Sequence, residues 1–370
     1  MTFVLPPYPY DRLDELRAVA AQHKLGMLDL SIGTPVDPAA DVVAAAMADP
    51  SKLPGYPPSV GTPEFRSAAA RWLSRRFDID ANPEMIGACI GTKELVVGLP
   101  HWLSLRSPER DTVLYPGVSY PSYAMGAELA GCRAVPVAMD ENWSIDLESI
   151  DPADAARALC LWVNTPGNPA GGLDDLEAVV EWGRTNEVLV ASDECYIEFT
   201  WDGAPRSALT YGNDGVLAVH SLSKRSNLAG GRLGFYTGDT DVTHYLREIR
   251  KHAGFMVPGP LQAAGAVAFD DDAHVDEQRS RYQARLALLA ATFARHGVDA
   301  RSPRGGFYLW TPAPEHDGWA FAQRLAQCCG IVGSPGEFYG PSAVGYVRLA
   351  VVATDESFAT LPERFDAAVF

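Results

Sequence analysis

The stretch His220-Ser221-Leu222-Ser223-Lys224-Arg225-Ser226-Asn227-Leu228-Ala229-Gly230-Gly231-Arg232-Leu233-Gly234 decides how this chain is read. It follows the apolar run Val216-Leu217-Ala218-Val219, which reads as a buried strand, and precedes a second short apolar-aromatic run. In open α/β sheets, ligands bind beyond the carboxyl ends of the strands. Ser221 and Ser223 offer hydroxyl donors and Arg232 a charged fork, a set suited to phosphate. Lys224 then stands beside the body of that ligand. An amine near another cation in a partly dry site has a lowered pKa and becomes a nucleophile fit for Schiff-base chemistry. An ordinary solvated lysine is the competing reading, and the rest of the chain decides between the two.

At 370 residues the chain has room for two domains with substantial cores. Its 47% hydrophobic and 21% charged residues give the balance of a soluble globular protein. With 47 acidic against 30 basic side chains the formal charge is -17, which argues against a nucleic-acid or anionic-membrane partner. Cys89, Cys132, Cys160, Cys195, Cys328 and Cys329 form no C-x-x-C pair and no zinc-like cluster with histidine, so a reduced, cytoplasmic setting and no metal are expected. The opening residues to Pro9 lack a basic n-region, and their apolar run is too short and proline-rich for a signal peptide. This arm fits neither helix nor central strand and is expected to pack against another surface. No stretch approaches the roughly 18 apolar residues of a membrane span.

Helical spacing is found over Asp11 to His23, about Glu64 to Phe77, Leu173 to Thr185, His244 to His252, Leu261 to Phe269 and Val275 to His296. Strand patterns cover Met27 to Ile32, Met85 to Ile90, Thr112 to Tyr115, Ala134 to Val137, Ala158 to Val163 and Val188 to Ser192. Ala158 to Val163 is continuously apolar, as a central parallel strand should be. Gly33, before Thr34-Pro35, permits close backbone approach to a ligand. Gly91-Thr92-Lys93-Glu94 opens a helix toward Leu105; Thr92 has the capping residue type, and a helix start binds anions, although P-loop spacing is absent. Asp270-Asp271-Asp272 reads as a solvated cap rather than a metal site. Farther on, Gly305 to Trp310 and Tyr346 to Val351 look like strands of a smaller α+β region, with Ser334 to Gly340 a turn-rich loop between them. Arg348 sits in an otherwise apolar strand and needs a carboxylate partner, from the protein or from a ligand.

Ser-x-Ser-Lys with an arginine eight residues after the lysine resembles the pyridoxal-phosphate attachment segment of the class I/II aminotransferases of fold type I. The order and spacing of Asn168, Asp193, Tyr196, Ser221, Lys224 and Arg232 are similar to that family's site, and the resemblance covers essentially the whole chain. It implies an α/β, fold type I transferase that depends on pyridoxal 5'-phosphate. A large domain, 41–280, would hold a mostly parallel seven-stranded sheet between helices, and 1–40 with 281–370 would form a discontinuous smaller α+β domain.

The resemblance also implies the roles of residues. Lys224 would carry the cofactor and move a proton, Asp193 would face its ring nitrogen, and Tyr196 and Asn168 would reach its ring oxygen. Asn168 lies in Asn168-Pro169-Ala170-Gly171, where Ala170 replaces the family's threonine. Tyr120 would stack on the ring, while Thr92, Lys93, Ser221, Ser223 and Arg232 would hold the phosphate side. Tyr56, shortly before Gly61 and Arg66, would reach the phosphate of a neighbouring subunit, implying a homodimer with sites at its interface. Arg348 and the Gly33 backbone would fix the carboxylate of amino-acid and keto-acid substrates.

Leu30 to Pro38, Ser221 to Gly230, Arg250 to Gly254 and Gly336 to Pro341 look like the actinobacterial N-succinyldiaminopimelate aminotransferases. That likeness implies exchange between N-succinyl-LL-2,6-diaminopimelate and 2-oxoglutarate/glutamate in lysine and diaminopimelate synthesis. Arg225, Arg12 or Arg304 would then supply a cation for a distal carboxylate. Another amino-acid specificity and a pyridoxal-phosphate C–S β-lyase remain open within the same fold. A catalytically silent regulator is disfavoured, because Lys224 and Arg348 are intact and no basic helix-turn-helix segment precedes the fold.

Overall fold

The computed structural model describes residues 8–366, so the expectation for the N-terminal arm falls mostly outside the described residues. The chain divides into two compact units. The larger comprises 37–280 with 304–306, and the smaller is assembled from the stretch ending at Val36, from 281–303 and from 307 onward. The return of 304–306 to the larger unit was not expected from the sequence.

In chain order the strands are β1 (Leu28–Asp29), β2 (Gly87–Cys89), β3 (Thr112–Pro116), β4 (Arg133–Val137), β5 (Ala158–Asn164), β6 (Leu189–Asp193), β7 (Val216–Ser221), β8 (Gly234–Gly238), β9 (Tyr308–Pro312), β10 (Ile331–Val332), β11 (Ser334–Pro335) and β12 (Tyr346–Ala350). In the larger unit seven of them form one sheet in the order β2-β8-β7-β6-β5-β3-β4. Its pairs from β4 through β7 are parallel, whereas β8 runs antiparallel to both β7 and β2. β7 leads into β8 through the segment 222–233, which turns back at the strand end so that β8 lies antiparallel beside β7.

Every residue of β5 and β7 is buried, which explains their unbroken apolar runs. Alternate side chains serve opposite faces. Leu161, Val163, Val190 and Ala218 join a core with Phe65, Trp72 and Phe269, while Cys160, Trp162, Leu217 and Val219 join another with Leu95, Leu99 and Tyr123. Helices begin where the sequence supplies caps. Thr62 accepts from the Phe65 N–H at the start of Pro63–Phe77, and Asp175 and Asp239 do the same for Leu176–Thr185 and Thr240–His252.

The smaller unit pairs β1 with β10 in parallel and packs β11, β12 and β9 as an antiparallel sheet. The sequence pattern over 27–32 thus yields only a two-residue strand. The turn-rich segment 334–340 holds a 3-10 turn, Gly336–Tyr339, preceded by the short strand β11, which the sequence pattern does not show. The helix expected over 11–23 is split into a 3-10 turn, Pro9–Leu13, and the helix Asp14–Ala20. The short helix Asp41–Met47 had no counterpart in the sequence reading. No helix among the described residues is long and apolar enough to cross a membrane.

Candidate functional site

Within the larger unit, Asn168, Asp193, Tyr196, Ser221, Ser223 and Lys224 stand at or just past the carboxyl ends of β5, β6 and β7, Thr92 and Lys93 open the helix Thr92–Arg106, Tyr120 follows β3, and Arg232 precedes β8. The parallel register sets Asn164 of β5 opposite Asp193 of β6. The Asn164 side chain donates to the Asp193 carbonyl at 2.8 Å and accepts from the Asn168 N–H at 2.8 Å. It therefore ties the turn that carries Asn168 to the end of the neighbouring strand.

Asp193 is buried, and each of its carboxylate oxygens has its own donor. The Tyr123 hydroxyl donates to Oδ2 at 2.8 Å and the Cys195 N–H to Oδ1 at 3.2 Å. Burial pushes the Asp193 carboxyl up, against the opposing pull of Cys195, Tyr123 and the Lys224 charge. Two residues on, the Cys195 thiol donates to the Thr92 hydroxyl at 3.3 Å, joining the end of β6 to the helix start. Thr92 is not a cap, contrary to the sequence reading. Gly91 holds the cap position with φ 68 and ψ 152, a conformation that disfavours any side chain.

A Cβ on Gly91 would lie 2.6 Å from the guanidinium carbon of Arg232. Arg232 itself has a left-handed backbone, and its Nη1 donates to the Ala229 carbonyl at 2.9 Å. Ser221 caps the helical turn Leu222–Arg225, accepting from the Ser223 N–H at 3.1 Å, so Lys224 rides on a turn fixed to the end of β7. The Lys93 ammonium lies 5.6 Å from the centre of the Tyr120 ring. Tyr196 is buried just before the 3-10 turn Ile197–Phe199. Tyr56 is 95% exposed on the chain's own surface.

In the smaller unit Arg348 is only 2% exposed. Its guanidinium lies 4.2 Å from the centre of the Tyr308 ring and 4.9 Å from that of Tyr339, and it donates to the Ser31 carbonyl. A Cβ on Gly33 would come within 2.7 Å of the Tyr308 ring, so this glycine leaves space for the ring that flanks Arg348.

Three expectations need correction. Arg225 is not available to a ligand: it is 2% exposed, lies 3.4 Å from the buried Glu198 carboxylate and donates to the Ala268 carbonyl at 2.6 Å. Glu198 also accepts from Trp72 and Arg76, and its network locks the Lys224 turn onto the core. Arg12 pairs with Glu337 and Arg304 with Asp202, so each already has a carboxylate partner. The three aspartates at 270–272 are more than a solvated cap. Asp270 pairs with Arg71 and Asp272 with Arg75, while Asp271 caps the next helix through the Ala273 N–H.

Asn164, Tyr123 and Cys195 were not given roles by the sequence reading. Asn164 had a signal, as a polar residue closing an all-apolar strand; Tyr123 and Cys195 are recognisable only once the fold brings them to Asp193.

The residues of the larger unit fit pyridoxal 5'-phosphate on two observations. Asp193 is a buried carboxylate whose hydrogen bonds come from a neutral hydroxyl and an amide, an environment suited to a ligand cation such as a protonated ring nitrogen. Gly91 leaves the helix-start amides and the Arg232 guanidinium in mutual reach, an arrangement suited to a phosphate.

Comparison with known proteins agrees with this fit. The chain is 40% identical over 368 residues to a 4-dedimethylamino-4-oxo-anhydrotetracycline transaminase of Streptomyces rimosus, covering 97% of this chain and 99% of the relative. It is 32% identical over 375 residues to an LL-diaminopimelate aminotransferase of Aquifex aeolicus, covering 98% and 96%. A solved probable N-succinyldiaminopimelate aminotransferase from Thermus thermophilus superposes with a TM-score of 0.87 at 29% identity, covering 97% of this chain and all of that one. Residues 26–365 match the profile of the aminotransferases of class I and II. The chain belongs to that family of fold type I enzymes, whose cofactor is pyridoxal 5'-phosphate.

Proposed function

We propose that this aminotransferase exchanges the amino group between N-succinyl-LL-2,6-diaminopimelate and 2-oxoglutarate/glutamate. The observation that carries its chemistry is the set at the ends of β6 and β7, where the buried Asp193 carboxylate, held by Tyr123 and the Cys195 amide, pairs across from Val219 of the strand that leads into the Lys224 turn. When bound, the cofactor supplies an aldehyde for an amine and a ring that takes up the electron pair left at the substrate α-carbon.

In this reading Lys224 would hold the cofactor through its Nζ and, once the substrate amine has displaced it, the freed amine would take the proton lost from the substrate Cα. Asp193 holds the proton on the ring nitrogen. Asn168 and Tyr196 would hold the ring oxygen by hydrogen bonds, and Tyr120 would supply an aromatic surface for the ring. Thr92, Lys93, Ser221, Ser223, Arg232 and the amides at Gly91 fix the phosphate, leaving the lysine turn no freedom to drift from the reacting carbon. Arg348, stiffened between Tyr308 and Tyr339, binds the α-carboxylate beside the Gly33 backbone. Tyr56, exposed on the isolated chain, reaches the phosphate in the partner subunit of a homodimer.

The diaminopimelate names of the Aquifex and Thermus relatives support the substrate class. The 40% identity to a tetracycline-pathway transaminase favours a second reading, in which the amino acceptor is a bulky cyclic ketone. The holoenzyme should be mixed with N-succinyl-LL-2,6-diaminopimelate and 2-oxoglutarate and glutamate formation followed, with Lys224→Ala as control. Rapid glutamate formation by the wild type alone is expected. Turnover with glutamate and a cyclic ketone but none with the succinylated compound rejects the first reading, and normal turnover by Lys224→Ala rejects the site.

A further inference from the structure

We propose that Tyr123 is a positioning residue for the transamination: its hydroxyl orients the Asp193 carboxylate and keeps it ionised, and so governs how firmly the ring nitrogen of the cofactor holds its proton. The inference rests on the reading that Asp193 faces that nitrogen.

Tyr123 lies on the helix Ser122–Leu129, 70 residues before its partner, and is 1% exposed. Its ring packs against Trp162 with centroids 5.2 Å apart, so the hydroxyl is delivered to Asp193 by a rigid body rather than a floppy arm. The bond runs to Oδ2 at 2.8 Å, while the Cys195 amide fixes Oδ1. Two donors from different elements prevent rotation of the carboxylate and leave its remaining lone pairs in one direction. Burial and the Asp193 charge push the phenol pKa well above its usual value, so the hydroxyl stays a donor throughout the working pH range.

A dry carboxylate is costly to keep charged, and each donor that it accepts offsets part of that cost. Removing the Tyr123 hydroxyl shifts the balance in one direction. Asp193 then competes for the proton that it should leave on the ring nitrogen, and its orientation loosens. A hydrogen bond to a charged group of this kind is worth about ten- to a hundredfold in an equilibrium.

The test uses holoenzyme reconstituted with cofactor carrying 15N in the ring, read by the nitrogen chemical shift across pH. In Tyr123→Phe the nitrogen should lose its proton about one to two pH units earlier than in wild type, with kcat lowered about ten- to a hundredfold and KM little changed. Trp162→Phe, which disturbs the packing and keeps the hydroxyl, should leave the nitrogen titration in place. 3-Fluorotyrosine at position 123, a stronger donor, should retain or extend the protonated range. An unchanged titration in Tyr123→Phe while Asp193→Asn shifts it overturns the inference alone. An unchanged titration in Asp193→Asn overturns the reading of Asp193 and this inference with it. Equal shifts in Trp162→Phe and Tyr123→Phe reduce Tyr123 to packing.

Discussion

Replacing Gly91 with alanine tests the phosphate cradle without touching any residue assigned to chemistry. Two costs follow from the structure. The backbone at φ 68, ψ 152 is hostile to a side chain, which costs about 1–3 kcal/mol of fold stability. The new methyl would also sit 2.6 Å from the Arg232 guanidinium carbon, well inside van der Waals contact. The guanidinium is the mobile end of an exposed side chain, so it swings aside and the fold survives. It then loses its charge-assisted hydrogen bonds to phosphate, worth about 1.5–3 kcal/mol, or roughly 10- to 150-fold in affinity. Gly131→Ala separates the two costs, because that glycine has φ 73 and nothing within 4 Å of a built Cβ. Both variants should melt at lower temperature, and only Gly91→Ala should bind pyridoxal 5'-phosphate more weakly when apoenzyme is titrated and cofactor fluorescence is followed. Wild-type affinity in Gly91→Ala would refute the cradle built from Gly91 and Arg232.

Gly33→Ala should push the Tyr308 ring off Arg348 and raise KM for amino acids at nearly constant kcat, with a carboxylate-free amine unaffected; an equal effect on both amines rules out action through Arg348. Arg225→Met should cost about 3–5 kcal/mol in chemical denaturation because it strands part of the Glu198 network, while the KM values for substrates with one or several carboxylates keep their ratio. A selective loss of the multi-carboxylate substrate would restore Arg225 as a recognition residue. Glu194 lies in the core with its carboxyl pushed by burial from 4.5 to about 7. The unfolded chain therefore releases this proton at lower pH than the folded one, and the group costs stability increasingly as pH rises from about 4.5 to 7. Glu194→Gln should accordingly gain on the wild type over that window by on the order of 3 kcal/mol, read as the difference in denaturation free energy between pH 4.5 and 7.5. A pH-independent difference would contradict the buried, protonated state of Glu194.

The parts of the fold that were legible in the sequence are those whose partners are nearby or whose burial is total. β5 and β7 declare themselves because both of their faces are covered, so no polar residue interrupts the run until the strand ends. That is also why Asp193 and Lys224 were legible: reactive groups stand where apolar runs stop. The two-residue β11 was not, because nothing local distinguishes Ser334-Pro335 from a turn, and its pairing with Val347 and Arg348 is a tertiary fact. Arg225 misled for a related reason. Next to a reactive lysine it looks like a ligand-binding cation, but its partners Glu198 and Ala268 lie 27 and 43 residues away. Tyr123 was hidden in the same way by the 70 residues that separate it from Asp193.

The pairing of β1 with β10 has a consequence for synthesis. Leu28 bonds alongside Ile331, whereas the seven strands of the larger sheet are all encoded between residues 87 and 238. At translation rates of about 5–20 residues per second, the segment around Leu28 waits roughly 15–60 s for its partner to emerge. The larger sheet is fully synthesised well before then. The smaller unit is therefore completed after the larger sheet, and during that interval its segment with Leu28 and Leu30 lacks the β10 partner that buries it.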